Sequence, residues 1–138
     1  MTTIAWDGKV LAGDTCITGP SFNRIGTKIF QIGNSKYFGA CGDREDCLAA
    51  TEWLAGRLKE EPKLSDSFSG ILVEKGKAYR VESLLIKDEI KEKHHAVGSG
   101  AQGAIVLMYM GFDAIQAIQT VSMFDTYTNS LVDHFTCS

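Results

Sequence analysis

Polar and apolar residues alternate along Lys28-Ile29-Phe30-Gln31-Ile32, the pattern of a strand with one buried face. The segment Lys36 to Cys41 follows across Gly33-Asn34, so a hairpin is predicted here. The chain before it reads the same way. Thr2 to Trp6 and Lys9 to Asp14 flank Asp7-Gly8, a dipeptide suited to a two-residue turn because glycine tolerates positive φ. A loop with Gly19-Pro20 separates these two hairpins. A third hairpin, Ser69 to Glu74 and Lys77 to Glu82, is expected to turn at Lys75-Gly76.

From Gly42-Asp43 the period changes. Cys47, Ala50, Leu54 and Leu58 recur at helical spacing and predict a helix with one apolar face. Asp43 is the expected N-cap, Glu45 and Asp46 suit the positive end of the helix dipole, and Pro62 is the expected stop. His95-Ala96-Val97 reads as a short strand running into Gly98-Ser99-Gly100. Two helices are predicted next, about Ala101 to Met110 and Asp113 to Met123, split at Gly111-Phe112, with Leu107, Met108 and Met110 as core filling. The tail from Tyr127 to Ser138 has room for one more strand. Strands and helices are grouped rather than alternating. That order predicts an α+β fold, antiparallel sheets with helices packed outside, over one domain spanning 1–138.

Composition narrows the classes of function. Of the 138 residues, 44% are hydrophobic and 22% charged, a globular mix with enough apolar material for a core. The net charge of −3, with no Lys/Arg cluster, argues against nucleic acid or an anionic membrane as partner. No apolar run is long enough for a membrane span. Four cysteines without CxxC spacing, and no signal-peptide pattern, predict a cytoplasmic chain with reduced thiols.

The candidate chemistry begins at Thr2. Threonine is small enough to permit removal of Met1, which leaves a free α-amine beside its own hydroxyl. That amine can serve as general base for the hydroxyl. Its ordinary pKa of about 7.7–8.0 leaves a useful neutral fraction near pH 7. A nearby lysine would depress the pKa of both groups, and a buried carboxylate would keep the lysine charged. Lys28 and Asp14 have that chemistry, and adjacent hairpin strands offer a way to bring both beside Thr2. A backbone N–H at Gly39 is the expected oxyanion donor, where a side chain would crowd the substrate. Thr2 itself is expected at a half-exposed strand end.

At this point the chain resembles the proteasome β-subunit family and the proteolytic subunit of the bacterial proteasome-like ATP-dependent protease. Thr2-Thr3-Ile4 followed by Ala12-Gly13-Asp14 is similar to the family's mature N-terminus. Thr27-Lys28-Ile29-Phe30-Gln31-Ile32, Phe38-Gly39-Ala40-Cys41-Gly42-Asp43, Val97-Gly98-Ser99-Gly100 and Phe124-Asp125-Thr126-Tyr127-Thr128-Asn129 resemble its later segments in the same order. The resemblance implies a four-layer αββα sandwich, the N-terminal-nucleophile hydrolase fold. It implies peptide-bond hydrolysis through an acyl-enzyme ester, with no cofactor and no metal. By position, Thr2 would be nucleophile, Lys28 would tune its pKa, Asp14 would orient Lys28 and Gly39 would supply the oxyanion N–H. Ser99 and Asp125 would support the amine and a water. The implied partners are peptide or unfolded protein as substrate, further copies of the chain, and an ATP-dependent unfoldase. One departure stands out. The stretch from Lys59 to Lys87 must hold the third hairpin, leaving no room for the family's second long helix, which contributes contacts between ring subunits.

Other readings compete. A catalytically silent protein of the same fold, serving as a self-assembling or interaction module, is the alternative. Gly98-Ser99-Gly100-Ala101-Gln102-Gly103 formally matches GxGxxG, but a dinucleotide site needs a parallel strand after its helix, and a second helix is predicted instead. His94 and His95 are neighbours on a strand and point to opposite faces, so an exposed strand end is expected rather than a metal site. Cys41 and Cys47 are expected as small core residues.

Overall fold

Alternation in the strands divides their side chains between two destinations, and the sandwich follows from that division. The computed structural model describes residues 2–137. Strands β1 (Thr3–Trp6) and β2 (Val10–Asp14) form the first hairpin. Its turn is one residue longer than expected: the Asp7 carboxylate accepts from the N–H groups of Lys9 at 2.9 Å and Val10 at 2.7 Å. The loop that follows carries a small ribbon, β3 (Cys16–Ile17) with β4 (Arg24–Ile25). The second hairpin is β5 (Ile29–Gly33) with β6 (Lys36–Cys41). Helix α1 (Arg44–Leu54) comes next, then the third hairpin, β7 (Ser69–Glu74) with β8 (Lys77–Glu82). Its turn residues, Lys75 and Gly76, both adopt positive φ (51° and 78°), as a tight hairpin of this kind requires. The chain ends with β9 (Asp88–Glu89), β10 (His95–Gly98), α2 (Ala101–Tyr109), α3 (Ala114–Val121) and β11 (Val132–Thr136).

Two antiparallel sheets result, in the orders β10-β1-β2-β11 and β5-β6-β7-β8-β9. Ile4, Trp6, Leu11 and Val97 of the first sheet meet Ile29, Cys41, Ile71 and Val73 of the second in the central core. The other face of the first sheet offers Ala5, Ala12 and Ala96, and these small residues let α2 and α3 pack close through Ala104, Met108, Ala117, Ile118 and Val121. The other face of the second sheet packs Phe38, Leu72 and Val81 against Cys47 and Ala50 of α1. The layers are therefore α, β, β, α, as expected, and the connection 55–68 holds no second helix.

Three details differ from the pattern-based reading. Helix α1 stops at Leu54 rather than at Pro62, because Gly56 takes φ +79° and leaves the helical path; Leu58 is 39% exposed. Asp43 holds the N-cap position with extended backbone, but its side chain caps nothing. Met110 is 70% exposed, against its expected core role, while Met108 is buried. By contrast Asp113 caps α3 in a full capping box with Gln116.

Candidate active site

The two sheets pack closely where glycines replace side chains. A Cβ on Gly13 would lie 2.9 Å from both Ile4 Cδ1 and Ile29 Cγ2, and one on Gly39 only 2.5 Å from Ile29 Cγ2. Ile29 thus sinks between the sheets, and Lys28, the residue before it, is carried across to the end of β1 and β2. This corrects one expectation. Lys28 does not lie on a strand adjacent to β1 and β2; it reaches their ends from the facing sheet.

There Asp14, with no solvent exposure, accepts from Thr3 N–H at 2.9 Å, from Cys16 N–H at 3.1 Å and from Lys28 Nζ at 3.1 Å to each carboxylate oxygen. Lys28 Nζ also donates to Thr2 Oγ1 at 2.5 Å. Burial pushes the lysine below its ordinary pKa, and attraction and hydrogen bonding to Asp14 oppose that shift. In its ammonium form Lys28 has no lone pair with which to take the hydroxyl proton. It can lower the cost of the oxyanion that forms when another base does. Thr2 is only 6% exposed, more enclosed than the half-exposed strand end expected.

Gly98 holds Thr2 from the other side. Ser99 N–H donates to the Thr2 carbonyl at 2.8 Å, and a Cβ on Gly98 (φ +104°) would sit 1.7 Å from that oxygen. The glycine loop therefore serves close backbone approach. It joins β10, which is antiparallel to β1, to α2, and α3 comes next rather than a parallel strand, so the arrangement is not that of a dinucleotide fold.

Ser99 Oγ donates to Asp125 Oδ2 at 2.6 Å, and Thr128 Oγ1 donates to the same oxygen at 2.7 Å. Because the Thr128 proton is spent there, Thr3 must donate in the 2.8 Å contact between the two threonine hydroxyls. Burial raises the Asp125 pKa, but the hydrogen bonds from Ser99, Thr128 and the Tyr127 backbone outweigh it and the net shift is downward. Asn129 accepts from Thr15 N–H at 3.0 Å and so ties this segment to the end of β2.

A cleft of about 360 Å³ opens beside Thr2 and Lys28, bordered also by Cys16, Ala40, Gly42 and Arg44. Five of the six predicted residues thus gather around the Thr2–Thr3 segment: Thr2, Asp14, Lys28, Ser99 and Asp125. Gly39 does not border the cleft. It faces the central core, and Gly42, at φ +126°, is the glycine on the cleft wall. Arg44 and Thr128 were not singled out from the sequence. Thr128 lay within the quoted Phe124–Asn129 segment, whereas nothing in the spacing around Arg44 marks it. Met1 lies outside the described residues.

The remaining candidates are structural. Cys41 and Cys47 are buried, and burial raises both thiols, Cys47 to about 12, so neither is poised as a thiolate nucleophile. His94 and His95 are half-buried rather than exposed. His94 meets Tyr109 edge-on with ring centroids 4.7 Å apart, and His95 Nε2 lies 2.9 Å from Arg80 Nη1. Among the described residues no helix is long and apolar enough to cross a membrane.

The layers and the strand order define the fold of the N-terminal-nucleophile hydrolases. The chain is similar to BPH from Thiobacillus denitrificans, at 17% identity and a TM-score of 0.73 over 99% of this chain and 98% of that one. A second structure of that protein, in complex with epoxomicin, matches equally. A eukaryotic HslV from Trypanosoma brucei matches at 17% identity and a TM-score of 0.70, over 97% of each chain. No family model matches the chain, and no curated protein matches it.

Proposed function

We propose that this protein is a threonine-type peptidase whose nucleophile is Thr2, freed by removal of Met1. The observation that carries this reading is the buried contact of Lys28 Nζ with Thr2 Oγ1 at 2.5 Å, the lysine itself braced by Asp14. A freed Thr2 amine takes the Oγ1 proton, and the oxygen attacks the carbonyl carbon of a peptide bond. The C–N bond then breaks, the proton passes to the leaving amine, and an ester to Thr2 remains. Water hydrolyses the ester with the same amine as base. Lys28 stabilises the negative charge that develops on Oγ1. Ser99 positions the Thr2 backbone, and Asp125 holds Ser99 and Thr128. For the oxyanion, a backbone donor on the Ala40–Asp43 wall fits the geometry better than Gly39.

The fold shared with BPH and HslV supports extending the reading to peptides or unfolded proteins as substrates. It also supports self-association and an ATP-dependent unfoldase as partner, and the four free cysteines support a cytoplasmic setting. The alternative, a silent self-assembling protein of this fold, is favoured by the helix-free connection 55–68. Intact mass of the untagged protein, with and without epoxomicin, separates the two. Loss of one methionine and gain of one adduct, abolished in Thr2→Ala, is the expected result. A chain that keeps Met1 and takes no adduct overturns the peptidase reading in favour of the silent one.

A further inference from the structure

The cleft beside Thr2 contains two cations in unlike circumstances. Lys28 is answered by Asp14. Arg44, the first residue of α1, is not: every ion pair among the described residues uses another cation. One guanidinium nitrogen, Nη1, donates to the Thr27 carbonyl at 2.6 Å. Its Nε is shut off from solvent and meets no acceptor. Burial, and then the like charge of Arg24, lower its pKa, which fits a cation without a counter-charge; as an arginine it stays protonated at neutral pH. The groups around it do not fill that role. Asp43 borders the cleft but is exposed and beyond ion-pair reach, Asp46 accepts from Ser65 N–H, and the Cys47 thiol is neutral.

We propose that Arg44 is a specificity-determining residue, and that the cleft takes a substrate side chain bearing a carboxylate, Asp or Glu, seated against Nη2 of its guanidinium. Nη2 donates to nothing among the described residues and, unlike Nε, is not shut off from solvent, so a charge-assisted N–H···O bond to a carboxylate is open to it. The first turn of α1 borders the same cleft, and its positive end favours an anion there. A neutral isostere such as Gln can accept a hydrogen bond from the arginine but brings it no counter-charge. The inference deepens the peptidase reading and rests on it for the identity of the ligand as a peptide.

Two measurements keep the two ideas apart. The first compares kcat/KM on coumarin-amide peptides that differ only in the residue before the scissile bond. Glu should be preferred over Gln by about tenfold or more, mainly through KM, as a charge-assisted hydrogen-bonded pair warrants. The preference should fall to near one in Arg44→Gln, persist in part in Arg44→Lys, and turn toward a Lys-containing peptide in Arg44→Glu. The second measures binding of labelled peptide amides by anisotropy to Thr2→Ala, which reads the Glu-to-Gln ratio whether or not hydrolysis occurs. Peptides ending in a free acid, run beside the amides, separate a side-chain carboxylate from a terminal one. Hydrolysis with equal use of Glu and Gln by the parent protein overturns this inference and leaves the peptidase reading intact. Discrimination in binding without any hydrolysis does the reverse. Tighter binding of free acids alone, whatever the side chain, also overturns it.

Discussion

Replacing Lys28 by methionine tests whether the buried pair carries both stability and chemistry. Methionine keeps much of the apolar stem and removes the charge together with the N–H donors to Thr2 and Asp14. What remains is a carboxylate at Asp14 with no solvent exposure and two backbone donors, Thr3 N–H and Cys16 N–H. Breaking a buried ion pair from one side costs about 3–5 kcal/mol, since it leaves an uncompensated charge. The two surviving donors place Lys28→Met at the lower end, about 3 kcal/mol. With an m value of about 1.5 kcal/mol per molar urea, the midpoint of urea unfolding should fall by about 2 M. Lys36→Met is the control. Its pair with Glu74 is partly exposed, 26% and 28% at the two side chains, and removal should cost about 1 kcal/mol at most. Peptide hydrolysis by Lys28→Met should drop by at least two orders of magnitude, on the scale of losing one preorganised charge at a developing oxyanion. Equal midpoint shifts for the two variants would refute the claim that burial makes the Lys28–Asp14 pair different. A variant still hydrolysing peptides at the parent rate would remove Lys28 from the mechanism.

Other outcomes follow from the same geometry. Gly39→Ala should destabilise by about 1–3 kcal/mol through its clash with Ile29, seen as a lower melting temperature; an unchanged melt with lost activity would restore Gly39 as an oxyanion donor. Gly98→Ala combines positive φ with a Cβ driven into the Thr2 carbonyl, so it should lose both stability and the epoxomicin adduct; an adduct formed at the parent rate would show that Thr2 is not held by this contact. Burial and the Arg80 charge lower the His95 pKa, so the folded state prefers the neutral ring. Its contribution to stability is therefore full above about pH 6.5 and is lost as pH falls toward the lower folded value. Urea midpoints from pH 7.5 to 5 should fall more steeply for the parent than for His95→Gln, and parallel slopes would contradict this.

Local signals in the chain carried the reading far, and long-range pairing limited it. The three hairpins were legible because alternation and turn residues lie within a few positions of one another. Which hairpins share a sheet was not, because β1 is joined to β10 and β2 to β11 from the far end of the chain. The apolar period continued to Leu58, but Gly56 broke the backbone that would have used it. Met108 and Met110 are two residues apart, over half a turn of helix, so one buried and one exposed was already implied by the spacing. His95 lies two residues from Val97 on the same strand face, which points it into the sandwich. Thr2, Asp14 and Lys28 were found as residue types in an ordered pattern. Arg44 was not, because an arginine opening a helix looks the same whether it faces solvent or a cleft.

The close approach of Ile4 and Ile29 over Gly13 and Gly39 has a kinetic side. Thr2 and Asp14 belong to one sheet and Lys28 to the other, so the pocket exists only while the halves of the sandwich keep their register. The Arg80–His95 bridge fastens the opposite end of the same seam. A slide of one sheet by a fraction of a residue would part Lys28 from Thr2 while leaving every backbone ladder intact. If Thr2 is the nucleophile proposed above, its activity is a strain gauge for the sandwich, and heat or denaturant should silence it before the secondary structure melts.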